Sequence, residues 1–188
     1  MAATATAARE KAAAAGDADA LNRLRSRRPA ERSVWLQVDD AVQSELDEAI
    51  ADERTAKFTL SEDDPRRAAA IERVAAARVA VRADAVGVVL RNQGRRAYRA
   101  LLDAHPPRDE DHQRAQRQTG NASARAEFNV ETFPIALIAF AVAEPAGLTE
   151  SELTDLIDDG RVSEGEADQL FTAALQVHQG SRVADLGK

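Results

Sequence analysis

The chain contains no cysteine. That excludes a disulfide framework, a cysteine-ligated zinc site and a thiol nucleophile. Aromatic residues are scarce, with five Phe, one Tyr and one Trp giving 4% of 188 residues. A deep aromatic-lined cofactor pocket or a large β-sandwich is not expected from so little material. No stretch of about 18 apolar residues occurs, so no segment reads as a membrane span. Residues 1–16 lack the apolar centre of a secretory signal. Lysine occurs only at Lys11, Lys57 and Lys188. These absences lead us to expect a soluble chain.

Alanine fills the space left by the missing residue types. There are 41 alanines, about half of the 44% hydrophobic fraction. Leu, Ile, Val and Phe together make up about 21%, near the level at which chains stop burying a core. The expected core is thin and built on good helix formers.

Charge is arranged in blocks within a net charge of -7. Residues 1–33 carry about +3, 34–65 about -8, 66–105 about +6, 106–128 about zero and 129–188 about -8. The basic block has two readings, a nucleic-acid footprint or an electrostatic partner for the acidic block before it. The acidic chain and a single aromatic, Tyr98, favour the second.

Periodicity divides the chain. Residues 1–32 read as a mobile Ala/Arg-rich arm, nascent helix at most, with only Leu21 and Leu24 as large apolar residues. Val34, Leu36 and Val38 alternate as a short strand, and Val42, Leu46 and Ile50 then share a helix face. Ser61 to Pro65 supplies turn and helix-start chemistry. A basic helix follows to about Arg82, with Ile71, Val74, Ala75 and Val81 as its stripe. Val86, Val88 and Leu90 alternate again, so two antiparallel strands flank an αα-hairpin over 33–93. Two strands alone are marginal, and the hairpin helices are expected to cover one face.

From 94 to 180 the sequence reads as a helical bundle. Helices are expected over Arg95–Ala104, Val130–Ala143 and two more opened by the capping boxes Thr149/Glu152 and Ser163/Glu166. Arg108–Ala126 has no apolar stripe and reads as a mobile loop. Residues 181–188 read as a tail. The fold class is therefore mainly α: a β-α-α-β unit followed by a bundle.

The residues offer little reactive chemistry. Asp155–Glu166 resembles a calcium loop, but Ile157 occupies a ligand position and capping explains Glu166, so no metal is expected. His105 precedes two prolines and reads as a helix C-cap, while His112 and His178 read as solvated. No nucleophile, base and oxyanion donor assemble, so the chain reads as a non-enzyme without cofactors. A thin core and long arms point instead to an interaction protein.

Two segments resemble a known family. Arg91 to Pro107 follows the pattern Arg-x-x-Tyr-x-x-Leu-Leu-x-x-His-Pro-Pro after a strand. Phe128 to Ile138, followed by Glu144-Pro145, follows Phe-Asn-x-x-x-Phe-Pro-x-x-Leu-Ile … Glu-Pro. Both resemble tail assembly chaperones of long-tailed actinobacteriophages. Where that family often carries Trp before the last helix, this chain has Val162-Ser163. The resemblance implies a protein that binds the aggregation-prone tape-measure protein during tail assembly. It also implies action in the host cytoplasm, absence from the mature virion, and a possible frameshifted longer form or homo-oligomer as partner. Neither a membrane nor nucleic acid is expected as a partner. Tyr98, Leu101, Phe133 and Phe140 are the candidates for shaping a partner groove, and each also fits the core. A structural virion or tail protein, or a small regulator using residues 66–99 on nucleic acid, are the other readings.

Overall fold

The structure is a computed structural model that describes residues 19–180. The chain divides into an N-terminal unit, Met1–Ala30, and a second unit, Glu31–Lys188. In the first, residues 19–25 are helical. Residues 1–18 of the expected arm and the tail at 181–188 lie outside the described residues.

The second unit is mostly helical with a small antiparallel sheet. Its order is β1 (Glu31–Leu36), α1 (Asp40–Thr59), α2 (Pro65–Asp84), β2 (Val86–Arg91), α3 (Arg95–Ala104) and α4 (Asp109–Thr119). Then come α5 (Phe133–Ala141), β3 (Val142–Glu144), α6 (Glu150–Asp158) and α7 (Glu164–Gln179). Strand β1 pairs antiparallel with β2, with Val34 opposite Val88 and Leu36 opposite Val86. It starts at Glu31, two residues inside the segment expected to be arm. The sheet has three strands rather than two, because β3 pairs antiparallel with the other edge of β2. The run expected to be helical through Ala143 thus leaves its helix at Ala141.

The main core lies between the sheet and α5, α6 and α7. Phe133, Leu90, Leu137, Ile138, Leu153 and Leu170 are fully buried there. Burying each such side chain is worth roughly 1.5–3 kcal/mol. Val34, Leu36, Val88 and Leu90 alternate toward that core. Both expected capping boxes form: Ser163 Oγ accepts from the Glu166 N–H at 3.3 Å, and the Glu166 carboxylate accepts from the Ser163 N–H at 2.8 Å. Thr149 and Glu152 do the same for α6. Val162, which precedes the last helix, is buried.

Two expectations need correction. The Arg108–Ala126 segment is not a structureless loop, since α4 occupies Asp109–Thr119. Three acidic residues in its first turn suit the helix dipole, and Gly120 ends it at φ 66°. Asp111 is buried and accepts from the Arg108 N–H at 2.8 Å, while Arg108 also pairs with Glu131 at 2.8 Å. These bonds tie α4 to the segment before α5. The second correction concerns the hairpin. Helices α1 and α2 pack on each other, and the sheet is covered by α5 and α7 instead. The seam consists of Val42, Leu46, Ala49, Glu53, Ala56 and Leu60 against Arg67, Ala70, Val74, Ala77, Val81 and Asp84. Its steps of three and four are those of a coiled coil. Only Ala49, Ala56, Val74 and Ala77 are fully buried in it. Ile50, Ile71 and Ala75, expected on apolar stripes, are exposed.

Candidate functional site

The four candidate groove residues gather around the main core. Tyr98 on α3 and Phe133 at the start of α5 are 8% and 0% exposed. Leu101 and Phe140 are half-buried and pack against the same cluster. Tyr98 meets Phe133 edge-on at 6.3 Å and stacks on His178 at 5.0 Å. Phe128 stacks on Phe133 at 4.4 Å, and Phe171 meets both edge-on. Such aromatic pairs add about 0.5–1.5 kcal/mol each beyond area burial. Tyr98 and Phe133 therefore sit inside the core.

Two of the three histidines, His105 and His178, pack against this cluster. His105 is the C-cap of α3, and its carbonyl accepts from the Asn129 N–H at 3.0 Å. Its Nδ1 lies 2.9 Å from Thr132 Oγ1. His112 is not a solvated loop residue: its Nδ1 accepts from the Ala126 N–H at 3.1 Å, which closes the turn after α4. His178 is half-buried rather than solvated. Its Nδ1 donates to the Ala174 carbonyl at 2.8 Å, and its Nε2 accepts from the Gln93 N–H at 3.3 Å. Both contacts suit the neutral ring, and burial holds its pKa below the ordinary histidine value. Burial pushes the Tyr98 hydroxyl up, although Gln179 donates to it at 2.7 Å.

The Asp155–Glu166 segment has no loop geometry for a cation. Asp155 lies within α6, Gly160 follows that helix at φ 70°, and Glu166 is occupied by its capping box. No cluster of three or more His, Asp or Glu stands together as a metal site among the described residues. No helix among them is long and apolar enough to cross a membrane. Every buried side-chain polar atom among them has a hydrogen-bond partner.

The hairpin provides the exposed surface. Its root is fixed by Asp84, whose carboxylate accepts from the N–H groups of Asp39 at 2.9 Å and Val38 at 3.0 Å, and from Gln37 Nε2 at 2.5 Å. These bonds, the Asp39 N–H foremost, hold Asp84 below the ordinary carboxylate pKa. Along one flank Arg73 pairs with Glu45 at 2.8 Å and with Asp52. Solvent screens such exposed pairs, so they add little to stability. Elsewhere Arg66 pairs with Asp64 and Arg91 with Glu31. The basic residues of 66–99 are divided among α2, β2 and α3. Trp35, Val38, Phe58, Ile71, Val79 and Val86 are exposed. A cavity of about 690 Å³ lies at the root, lined by Trp35, Gln43, Val81, Arg82, Glu166 and Gln169 among others. Sequence reasoning missed this surface because the seam is read from alanines, which carry no hydropathy contrast.

Comparison with protein-family models, with curated proteins and with solved structures finds no match to this chain.

Proposed function

We propose that this protein is a phage tail assembly chaperone that binds the tape-measure protein and keeps it soluble while the tail is built. It acts as a binding protein without catalysis or cofactor, in the cytoplasm of the infected host, and is left out of the finished virion. Its working organisation is a strand–hairpin–strand unit that presents the hairpin, joined to a helical half that anchors it.

The observation that carries this reading is the resemblance over 91–107 and 128–145. What supports it is that the residues common to the two patterns meet in space. Tyr98 and His105 from the first lie edge-on to Phe133 from the second. Asn129 donates its N–H to the carbonyl of His105, and Phe128 stacks on Phe133. Two short patterns separated in sequence therefore describe one packing arrangement, as expected when a resemblance extends to the fold. The unpartnered hairpin and its exposed apolar residues suit a protein that holds another chain.

Co-expression with the tape-measure protein of the same phage tests the reading. The expected result is a larger soluble fraction of that protein and a complex that survives size-exclusion chromatography. Unchanged solubility and no co-elution contradict it.

A further inference from the structure

The two flanks of the α1–α2 hairpin differ in a way that its internal packing does not require. On one flank Arg73 is held by Glu45, Glu48 and Asp52. With 3.6 residues per turn, Ile50 and Arg54 on α1 and Ile71, Arg78 and Arg82 on α2 fall on the opposite flank. Arg54, Arg78 and Arg82 form no ion pair among the described residues, and all three are exposed. Asp47, bonded to Gln43, and Glu53, paired with Lys57, are the carboxylates on this side. Ile50 and Ile71 are 38% and 46% exposed between the arginines. At the root, Gln43 and Arg82 line the 690 Å³ cavity beside Trp35. The flank is thus a shallow apolar strip rimmed by unpaired guanidinium groups, running about 17 Å along the helices at 1.5 Å per residue.

We infer that this flank docks one amphipathic helix of a partner protein, with Asp or Glu residues bordering its apolar stripe, to complete a three-helix bundle. Ile50 and Ile71 supply the apolar contact. Arg54, Arg78 and Arg82 supply the charge complement, and the cavity beside Trp35 receives a side chain from the end of the helix. A second copy of this chain fits poorly. Its equivalent flank repeats the same positive charge, and the carboxylates of its other flank are engaged by Arg73. A nucleic-acid backbone gains nothing from the isoleucines between the arginines, and Trp35 offers only one stacking surface. The inference deepens the chaperone reading. It rests on that reading for the partner's identity but not for its chemistry.

Trp35 is the chain's one tryptophan, so its fluorescence reports on the root of the flank in the full-length protein. The probes are two synthetic amphipathic helices with the same leucine stripe, one bordered by Glu and one by Lys. The Glu-bordered peptide should change Trp35 emission saturably and bind at least about tenfold more tightly than the Lys-bordered one. Ile71→Asp should weaken it at least about tenfold, with the thermal melt unchanged. Arg78→Glu with Arg82→Glu should reverse the preference, and this pair carries the test if Ile71→Asp does not fold. Equal binding of both peptides, no binding, or indifference to the charge reversal overturns the inference. The same emission change with single-stranded DNA assigns the flank to nucleic acid and overturns it. Self-association in sedimentation velocity that the charge reversal abolishes assigns it to a second copy, with the same consequence. Tape-measure rescue without selective peptide binding removes this face alone, whereas peptide binding without rescue removes the chaperone reading alone.

Discussion

The main core and the hairpin are built from one alanine-rich composition but reach stability by different routes. The core concentrates the large residues: Phe133, Leu137, Ile138, Leu153, Leu170 and Leu90 fill it completely. The hairpin has two 20-residue helices joined along a seam whose buried members are three alanines and one valine. It is tied to the rest of its unit at the root through Asp84. A composition this poor in large apolar residues supports one well-filled core, and the hairpin receives helix propensity and a close backbone approach instead. That leaves its flanks free for other contacts.

The largest expected effect is at Phe133. Phe133→Ala removes the ring that touches Tyr98, Phe128, His105 and Phe171, and should cost about 3–5 kcal/mol. Denaturant unfolding should show the sheet and α5–α7 weakened together. A loss below about 1 kcal/mol would mean that the ring is not central to the core. Next comes the hairpin seam. Ala49→Leu forces a large side chain where Ala49 is fully buried, and overpacking of that kind costs about 1–3 kcal/mol. The signature is specific: near-ultraviolet signals from the Tyr98 cluster should be retained while helix content falls at lower temperature. Simultaneous loss of both would join the two regions energetically.

The smallest effects concern pH and separate the regions again. Asp84 has a depressed pKa in the folded state. Its contribution is full above the unfolded carboxylate value and is lost as pH falls through the folded one. Acid should therefore loosen the hairpin root, and Asp84→Asn should remove that part of the dependence. His178 is depressed below its ordinary value near 6.5. The unfolded chain binds the proton first, so stability is full above about that pH and declines as pH falls below it. His178→Gln should flatten the melting temperature as pH falls below about 6.5, and an unchanged slope would remove the buried neutral ring from the account.

Much of this architecture is legible in the sequence, and the exceptions have physical causes. The pairing of β1 with β2 follows from two alternating runs around a helical hairpin. Capping boxes at Thr149 and Ser163 follow from side chains that recognise backbone within three residues. Helix α4 is missed because its surface is almost wholly polar, and it is held by the buried Asp111 and by Arg108, contacts that no hydropathy period records. Its three leading acids and Gly120 are the signal that was there. Strand β3 is hidden at the end of the most apolar run, where three residues are too few to display alternation. In the hairpin, hydropathy places Ile50 and Ile71 inside, yet the seam selects Ala49 and Ala77, because close approach of two helices favours small side chains over large ones. Of the candidate groove residues, Tyr98 and Phe133 are buried in the core, the placement that the scarcity of large apolar residues favours.

On this account the hairpin is an arm anchored at its root and stabilised separately from the core. Native-state hydrogen–deuterium exchange under mild denaturant tests it most directly, residue by residue. Amides of 42–82 should exchange through an opening of lower free energy than those of 88–90, 134–141 and 166–177, with the core still closed. A single common opening energy for both groups would contradict the account.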